Sequence, residues 1–364
     1  MVILKVLLIG ATKFIGGGEK VLEIISRSLE NHEIDLITDK FHYNLEKYNI
    51  KFTTLYSTSL TLEEKGVLGY LRRLMVRREI NEISKGKKYD IIINNNPRVF
   101  LYKGDVNYLH GFSFLDNYID EYGNLKSKKV PFLMKTLKIY GMYNNANFLT
   151  HGNYTLNLAF KLFPEIGVKP RRIDKILLPL EKMDKVDLKN KENLILTFGR
   201  ISEDKQLTTV IDIAKVMRNH TFIISGSVRR KEEKDFFNYL KSIAPDNVKI
   251  IPNPTEEEKE NLYKKAWVYL HTKRKEHFGL TVVEAISYGS VPVVPKAGGP
   301  WIDIVEEGKY GFGYNSIEEG VEAVKQALGL PREDREFILE SRNRFSFDKF
   351  KSNFLNYIEE IGRY

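Results

Sequence analysis

The stretch WVYLHTKRKEHFGLTVVEAISYGSVPVVPKAGGP, residues 267–300, decides the fold. WVYLHT reads as a strand and KRKEHFGL as a polar loop. TVVEAISYG reads as a helix ending at Gly289, and VPVVPKA as a second strand closed by a glycine turn. Strand, loop, helix and strand in that order make one turn of a parallel α/β sheet. Thr281 and Glu284 stand at capping-box spacing, which gives Thr281 the N-cap and Glu284 the N3 position. Glu276, eight residues earlier, has no comparable structural task. In a loop at a strand's carboxyl end it can accept two hydroxyl hydrogen bonds at once.

The same alternation extends in both directions. LILTFGR (194–200), TFIISGS (221–227) and VKIIPN (248–253) read as strands, with helices over 205–218, 231–244, 255–265 and 281–289. An earlier series has strands at 5–11, 33–39, 89–95, 106–112 and 147–152, with helices over 21–30, 61–84 and 131–144. Two series predict an α/β protein with two doubly wound Rossmann-like domains facing across a cleft. The expected boundaries are 1–178 and 179–347, joined by the lysine-rich seam 175–193. A C-terminal helix over 348–364 is expected to pack back on the first domain.

Composition narrows the class. Of 364 residues 42% are apolar and 29% charged, a globular balance. Cysteine is absent, which excludes disulfides and thiolate metal sites. No apolar run reaches the roughly 18 residues of a membrane span, and the start reads as a strand rather than a signal peptide. A cytoplasmic location is expected. The net charge of +9 is one-sided. Residues 1–178 hold 27 Lys and Arg against 18 Asp and Glu, whereas 179–364 hold 30 of each. The first half is therefore expected to meet phosphates, nucleic acid or an anionic membrane. Segments 65–88 and 126–143 mix cations with apolar residues. They suit either an anionic bilayer surface or core-facing helices with solvated basic backs.

Ligands of open α/β sheets bind at the carboxyl ends of the strands. There, Gly16 and Gly17 precede a helix, as a tight turn or as a backbone approach to an anion. Arg200 and Lys205 follow the first strand of the second series; as fixed cations they can hold a diphosphate, and otherwise they are solvated surface charges. Residues Gly279 to Val282 offer backbone N–H groups at a helix start. No D-x-D pair or metal-spaced cluster is legible, so no metal is expected.

Taken in order, GRISEDK, the E-x7-E pair of EHFGLTVVE and a strand ending in GGP resemble the signature of glycosyltransferase family 4, and GGGEKVL fits as well. IISGSVRRKEEKD, HTKRKEHFGLTVVEA and GGPWIDIV are most similar to the family's α-1,2-mannosyltransferases acting on lipid-linked oligosaccharides. The resemblance implies a GT-B fold and retaining transfer of a hexose from a GDP- or UDP-linked donor, with no further cofactor. It implies that Arg200 and Lys205 grip the diphosphate, that Glu284 takes the ribose and that Glu276 contacts the donor sugar. Backbone groups of Phe278, Gly279, Leu280 and Thr281 then help to hold sugar or phosphate. Gly16 and Gly17 lie against phosphate or acceptor, and His110 stands near the reacting carbon. His271 and His277 read as structural or surface groups. The implied partners are the donor, a glycan or lipid-linked acceptor and an anionic membrane surface. A basic nucleic-acid binder is the rival from another class, but it leaves the motifs of the neutral half unexplained. A non-transferase enzyme of the same fold, such as an epimerase, is the second alternative.

Overall fold

The computed structural model of the chain describes residues 3–10, 17–39, 51–58, 66–95, 102–112, 115, 117–136, 138, 140–180 and 183–362. It divides into two compact units, Met1–Pro179 with Phe347–Tyr364, and Leu180–Ser346.

Among the described residues the first unit has seven parallel strands. They are β1 (Lys5–Ile9), β2 (Glu33–Asp39), β3 (Thr54–Thr58), β4 (Ile91–Asn94), β5 (Val106–Leu109), β6 (Asn147–Thr150) and β7 (Arg172–Lys175), in spatial order β3-β2-β1-β4-β5-β6-β7. Helices α1 (Gly17–Ser28), α2 (Gly66–Ser84), α3 (Lys129–Thr136) and α4 (Asn153–Glu165) connect them. The second unit repeats the plan. Strands β8 (Glu192–Phe198), β9 (Thr221–Gly226), β10 (Val248–Pro252), β11 (Ala266–Leu270), β12 (Val291–Pro295) and β13 (Phe312–Tyr314) lie in order β10-β9-β8-β11-β12-β13. Its helices are α5 (Thr208–Val216), α6 (Lys231–Ile243), α7 (Glu256–Lys265), α8 (Leu280–Ser287), α9 (Ile317–Leu328) and α10 (Arg332–Glu340). The final helix, α11 (Phe347–Gly362), packs on the first unit through Phe350, Phe354, Tyr357 and Ile358, and Tyr357 Oη donates to Phe148 O (3.3 Å).

The central strands are apolar along their length because helices cover both faces. Val6, Leu7 and Leu8 of β1 and Val268, Tyr269 and Leu270 of β11 are fully buried. The two doubly wound α/β sheets expected from the sequence are present. In each, the strand order reverses at one point, between β1 and β4 in the first unit and between β8 and β11 in the second. Those switch points are where such sheets bind ligands.

Local expectations differ in three places. The helix expected over 131–144 ends at Thr136; Lys138 turns to φ +50° and a short 3-10 turn follows at Gly141–Tyr143. The helix expected from residue 205 begins at Thr208, because Gln206 adopts φ +54° and leaves Lys205 in a 3-10 turn. Ser202 does not cap it; its hydroxyl donates to Asp204 (2.6 Å). In the basic segment 65–88, Val76 and Ile80 are buried beside Leu7, Ile9 and Ile37, so Ile80 serves the core. Residue 65 lies outside the described residues.

Candidate functional site

The loops after β8 and β11 meet at the second unit's switch point around a small cavity. Its walls include Gly199, Arg200, Lys205, His271, Thr272 and Thr281. Four side-chain contacts lock the two loops together. Thr272 Oγ1 donates to Lys205 O (2.6 Å), Arg274 N donates to Gln206 Oε1 (2.9 Å), and Lys273 pairs with Asp204 (3.2 Å). Lys205 Nζ pairs with Glu276 Oε2 at 2.7 Å. Close backbone approach makes this possible. Gly226, at φ +150°, ends β9 directly against Gly199, and a Cβ there would strike the Gly199 carbonyl.

The structure brings Arg200, Lys205 and Glu276 together. Arg200 is held by Asp204 (3.3 Å) and lies 4.0 Å from Glu233. Glu276, expected to have no structural task, is ion-paired and half-buried. Burial works against its charge, but the Lys205 and Lys273 ammonium groups overcome that and hold its carboxyl well below the usual carboxylate range. The Asp204 carboxyl is lowered as well. Burial opposes this, and the Ser202 hydroxyl with Lys273 and Arg200 outweighs it.

The Gly298–Gly299 turn, read from the sequence as a glycine turn closing a strand, serves the Glu276 loop. Gly299 N donates to Glu276 O (2.8 Å), and a Cβ on Gly298 would collide with the carbonyls of Arg274 and Glu276. The two glycines of this turn together fix the backbone that carries Glu276.

The capping box expected at Thr281 and Glu284 is absent. Gly279, at φ +97°, is the N-cap of α8, so Thr281 already lies inside the helix and on the cavity wall. The same spacing one helix earlier is a true box, with Thr255 Oγ1 accepting from Glu258 N (3.1 Å) and Glu258 accepting from Thr255 N (2.7 Å). Glu284 is oriented from α7. Tyr263 Oη donates to one carboxylate oxygen (3.1 Å) and Lys259 Nζ to the other (3.4 Å). Tyr263 is fully buried and stacks on Tyr288 and Tyr269, which makes it a rigid support. Phe278 buries its ring edge-on to Phe345, so it offers only backbone to a ligand. Leu280 opens α8 beside it.

In the first unit, His110 follows β5. Its Nε2 lies 3.1 Å from both the carbonyl and the side-chain oxygen of Asn95, acting as donor or acceptor according to tautomer. Asn95 follows β4, and its side-chain amide donates to Gly18 O (3.1 Å) in α1. His110 is thus tied to the switch point of its own sheet. Gly17 opens α1 with open space where a Cβ would stand. Gly16 lies outside the described residues.

Sequence reading misses four participants. Tyr263 and Lys259 sit on a helix remote in sequence from Glu284, and Lys273 is masked by its basic neighbours. His271, read as structural or surface, lines the cavity, and its buried Nε2 has no hydrogen-bond partner among the described residues. Burial, with some opposition from Glu276, pulls its pKa down to about 4, so the imidazole is neutral. The signal for His271 was its place immediately after a buried strand at the switch point. Among the described residues no three His, Asp or Glu side chains gather as a metal site requires.

Comparison with known proteins places this geometry. Residues 180–344 match the family model described as Glycosyl transferases group 1. The chain is 27% identical over 221 residues to a GDP-Man:Man(3)GlcNAc(2)-PP-Dol alpha-1,2-mannosyltransferase of Dictyostelium discoideum, an alignment covering 56% of this chain and 42% of that protein. The chain thus spans less than half the length of that relative. Among solved structures, a glycosyltransferase from Rickettsia africae superposes with TM-score 0.75 at 16% identity, over 99% of this chain and 98% of that one. Anabaena Alr3699/HepE in complex with UDP and glucose superposes with TM-score 0.69 at 17% identity, over 98% and 100%. The structural likeness is one of fold, the two-domain α/β GT-B fold.

Proposed function

We propose that the chain, whose residues 180–344 match the model of the group 1 glycosyl transferases, transfers a hexose, mannose by preference, from a nucleotide-sugar to a hydroxyl of a lipid-linked glycan. The supporting observation is the ionic cluster of Arg200, Lys205 and Glu276 at the carboxyl ends of β8 and β11. The relative's name supplies GDP-mannose and a dolichol-diphosphate-linked acceptor as the first substrates to try.

In this reading Arg200 and Lys205 take the donor diphosphate, with backbone N–H groups at Leu280 and Thr281 adding the positive end of α8. Glu284 accepts from the ribose hydroxyls, and Glu276 accepts from hydroxyls of the hexose. Transfer forms a bond from the acceptor oxygen to the anomeric carbon and breaks the bond to the diphosphate, whose oxygen takes the acceptor's proton. Attack on the face that the diphosphate leaves retains configuration. The fixed cations answer the leaving group's charge, so the reaction is proposed to run without a metal ion. In the first unit, His110 is assigned to the neighbourhood of the reacting carbon, and Gly16 and Gly17 to a phosphate or acceptor loop.

Attachment to an anionic membrane surface is proposed through α3. Phe132 and Leu133 are 68% and 54% exposed there, among exposed Lys126, Lys128, Lys129, Lys135 and Lys138. Among the described residues no helix is long and apolar enough to cross a membrane. Phe132→Ser with Leu133→Ser is expected to abolish co-sedimentation with anionic vesicles. Undiminished sedimentation would remove α3 from the proposal.

The transfer itself is tested by incubating the chain with GDP-mannose or UDP-glucose and a polyprenyl-diphosphate-linked glycan. A hexose-extended product and free nucleoside diphosphate are expected only when donor and acceptor are both present. Release of nucleotide without acceptor, or conversion of the donor sugar alone, would point to a non-transferase.

A further inference from the structure

Lys205 and Glu276 are both assigned to the donor, and they pair with each other at 2.7 Å. Among the described residues Lys205 is the one side chain bonded to the Glu276 carboxylate. The nearby cations are already committed, since Lys273 and Arg200 both pair with Asp204. His271 lines the same cavity but carries no charge to lend, being neutral and buried. The two partners are themselves shielded, with 24% and 18% of their side chains exposed.

We propose that the donor binds by partner exchange, Lys205 passing from Glu276 to the diphosphate while the hexose hydroxyls replace it on Glu276, so that the site discriminates the intact sugar nucleotide from the free nucleoside diphosphate. This rests on the donor-site reading above. A free nucleoside diphosphate can reach Lys205 only by leaving a shielded carboxylate without a partner, which is costly. A sugar nucleotide carries its own compensation, because hexose hydroxyls donate to both carboxylate oxygens. Once the hexose has been transferred, that compensation is gone. Glu276 then competes with the diphosphate for Lys205, and the competition favours product release. Glu276 is therefore a specificity-determining residue as well as a sugar contact.

The test is calorimetric titration of the full chain with GDP and GDP-mannose, and with UDP and UDP-glucose. Wild type, Glu276→Gln, Lys205→Met and the double variant are compared, with thermal unfolding checking that each is folded. Wild type is expected to bind the sugar nucleotide about tenfold tighter than the free diphosphate. Glu276→Gln is expected to bind the free diphosphate about fivefold or more tighter than wild type and to lose that preference. In the Lys205→Met background the same substitution is expected to change diphosphate affinity less than about twofold, because the gain requires Lys205. A gain of equal size in that background would reflect through-space repulsion and overturn the exchange, as would an unchanged affinity in Glu276→Gln. Wild type binding neither nucleotide pair would overturn the donor-site reading and the exchange with it.

Discussion

The two sheets reverse strand order at equivalent points, and the described residues there differ in kind. Between β8 and β11 stand Arg200, Asp204, Lys205, Lys273 and Glu276, a network of paired charges around a cavity. Between β1 and β4, with His110 after the neighbouring β5, stand Asn95 and Gly18, joined by hydrogen bonds of the imidazole and a side-chain amide. Yet the excess positive charge of the chain lies wholly in the first half, and the half with the charged switch point is neutral in sum. Net charge therefore reports on exposed surface, such as the lysines around α3. A phosphate site needs only two or three fixed cations at strand ends, which the sum over a domain does not register. On this contrast, the proposal assigns the donor to the charged point and keeps His110 apart from donor binding.

The largest effect that would break the contrast is loss of a cation. Lys205→Met is expected to lower kcat/KM for transfer about 100- to 1000-fold, as removal of a fixed charge-stabilising group does, and to weaken donor binding in parallel. His110→Ala is expected to lower kcat about 100-fold with donor affinity unchanged. Weakened donor binding in that variant would erase the division of labour. Tyr263→Phe keeps the stacked ring but frees one Glu284 oxygen. The expected result is a donor KM raised about 3- to 10-fold at constant kcat, the net worth of one ordinary hydrogen bond. The rise should vanish when the donor ribose lacks its hydroxyls.

The smallest effect sharpens the comparison from outside either switch point. Lys191 is buried, and its ammonium donates to Tyr263 O and Ala266 O at 2.8 Å. Burial, aided by Arg335, lowers its pKa from 10.5 to about 7. The unfolded chain thus holds this proton more tightly than the folded one. Stability of the second unit should rise between pH 7 and about 10, by at most about 1.4 kcal/mol per pH unit, and be level below 7. Lys191→Met should remove the slope, as denaturant melts across that range would report, without altering donor affinity.

Much of this architecture is legible in the residues, and the gaps have physical causes. β1, β8, β11 and β12 are buried on both faces and read as apolar runs. The strands that sequence reading misses, β3, β7 and β13, all lie at sheet edges. TLYST, RIDK and FGY are short and half-solvated, so they carry no run. Lys191 lies in the polar seam 175–193 yet is buried, a case where lysine content alone misplaces a residue. At the site, Arg200, Lys205 and Glu276 could be singled out because each follows a strand, and Glu284 because it stands eight residues beyond Glu276 in the first turns of a helix. Their partners could not. That Lys205 pairs with Glu276 across 71 residues, and Tyr263 with Glu284 across 21, is decided by packing of separate loops and helices. The capping box misleads because its spacing is real but Gly279 starts the helix earlier.

The account's central claim is that the donor is held by the charged switch point of the second unit. It is tested most directly by titrating GDP-mannose and UDP-glucose into wild type, Lys205→Met and His110→Ala under one set of conditions. The account predicts one site per chain for one of the two donors, affinity weakened in Lys205→Met and wild-type affinity in His110→Ala. Full affinity in Lys205→Met would contradict it.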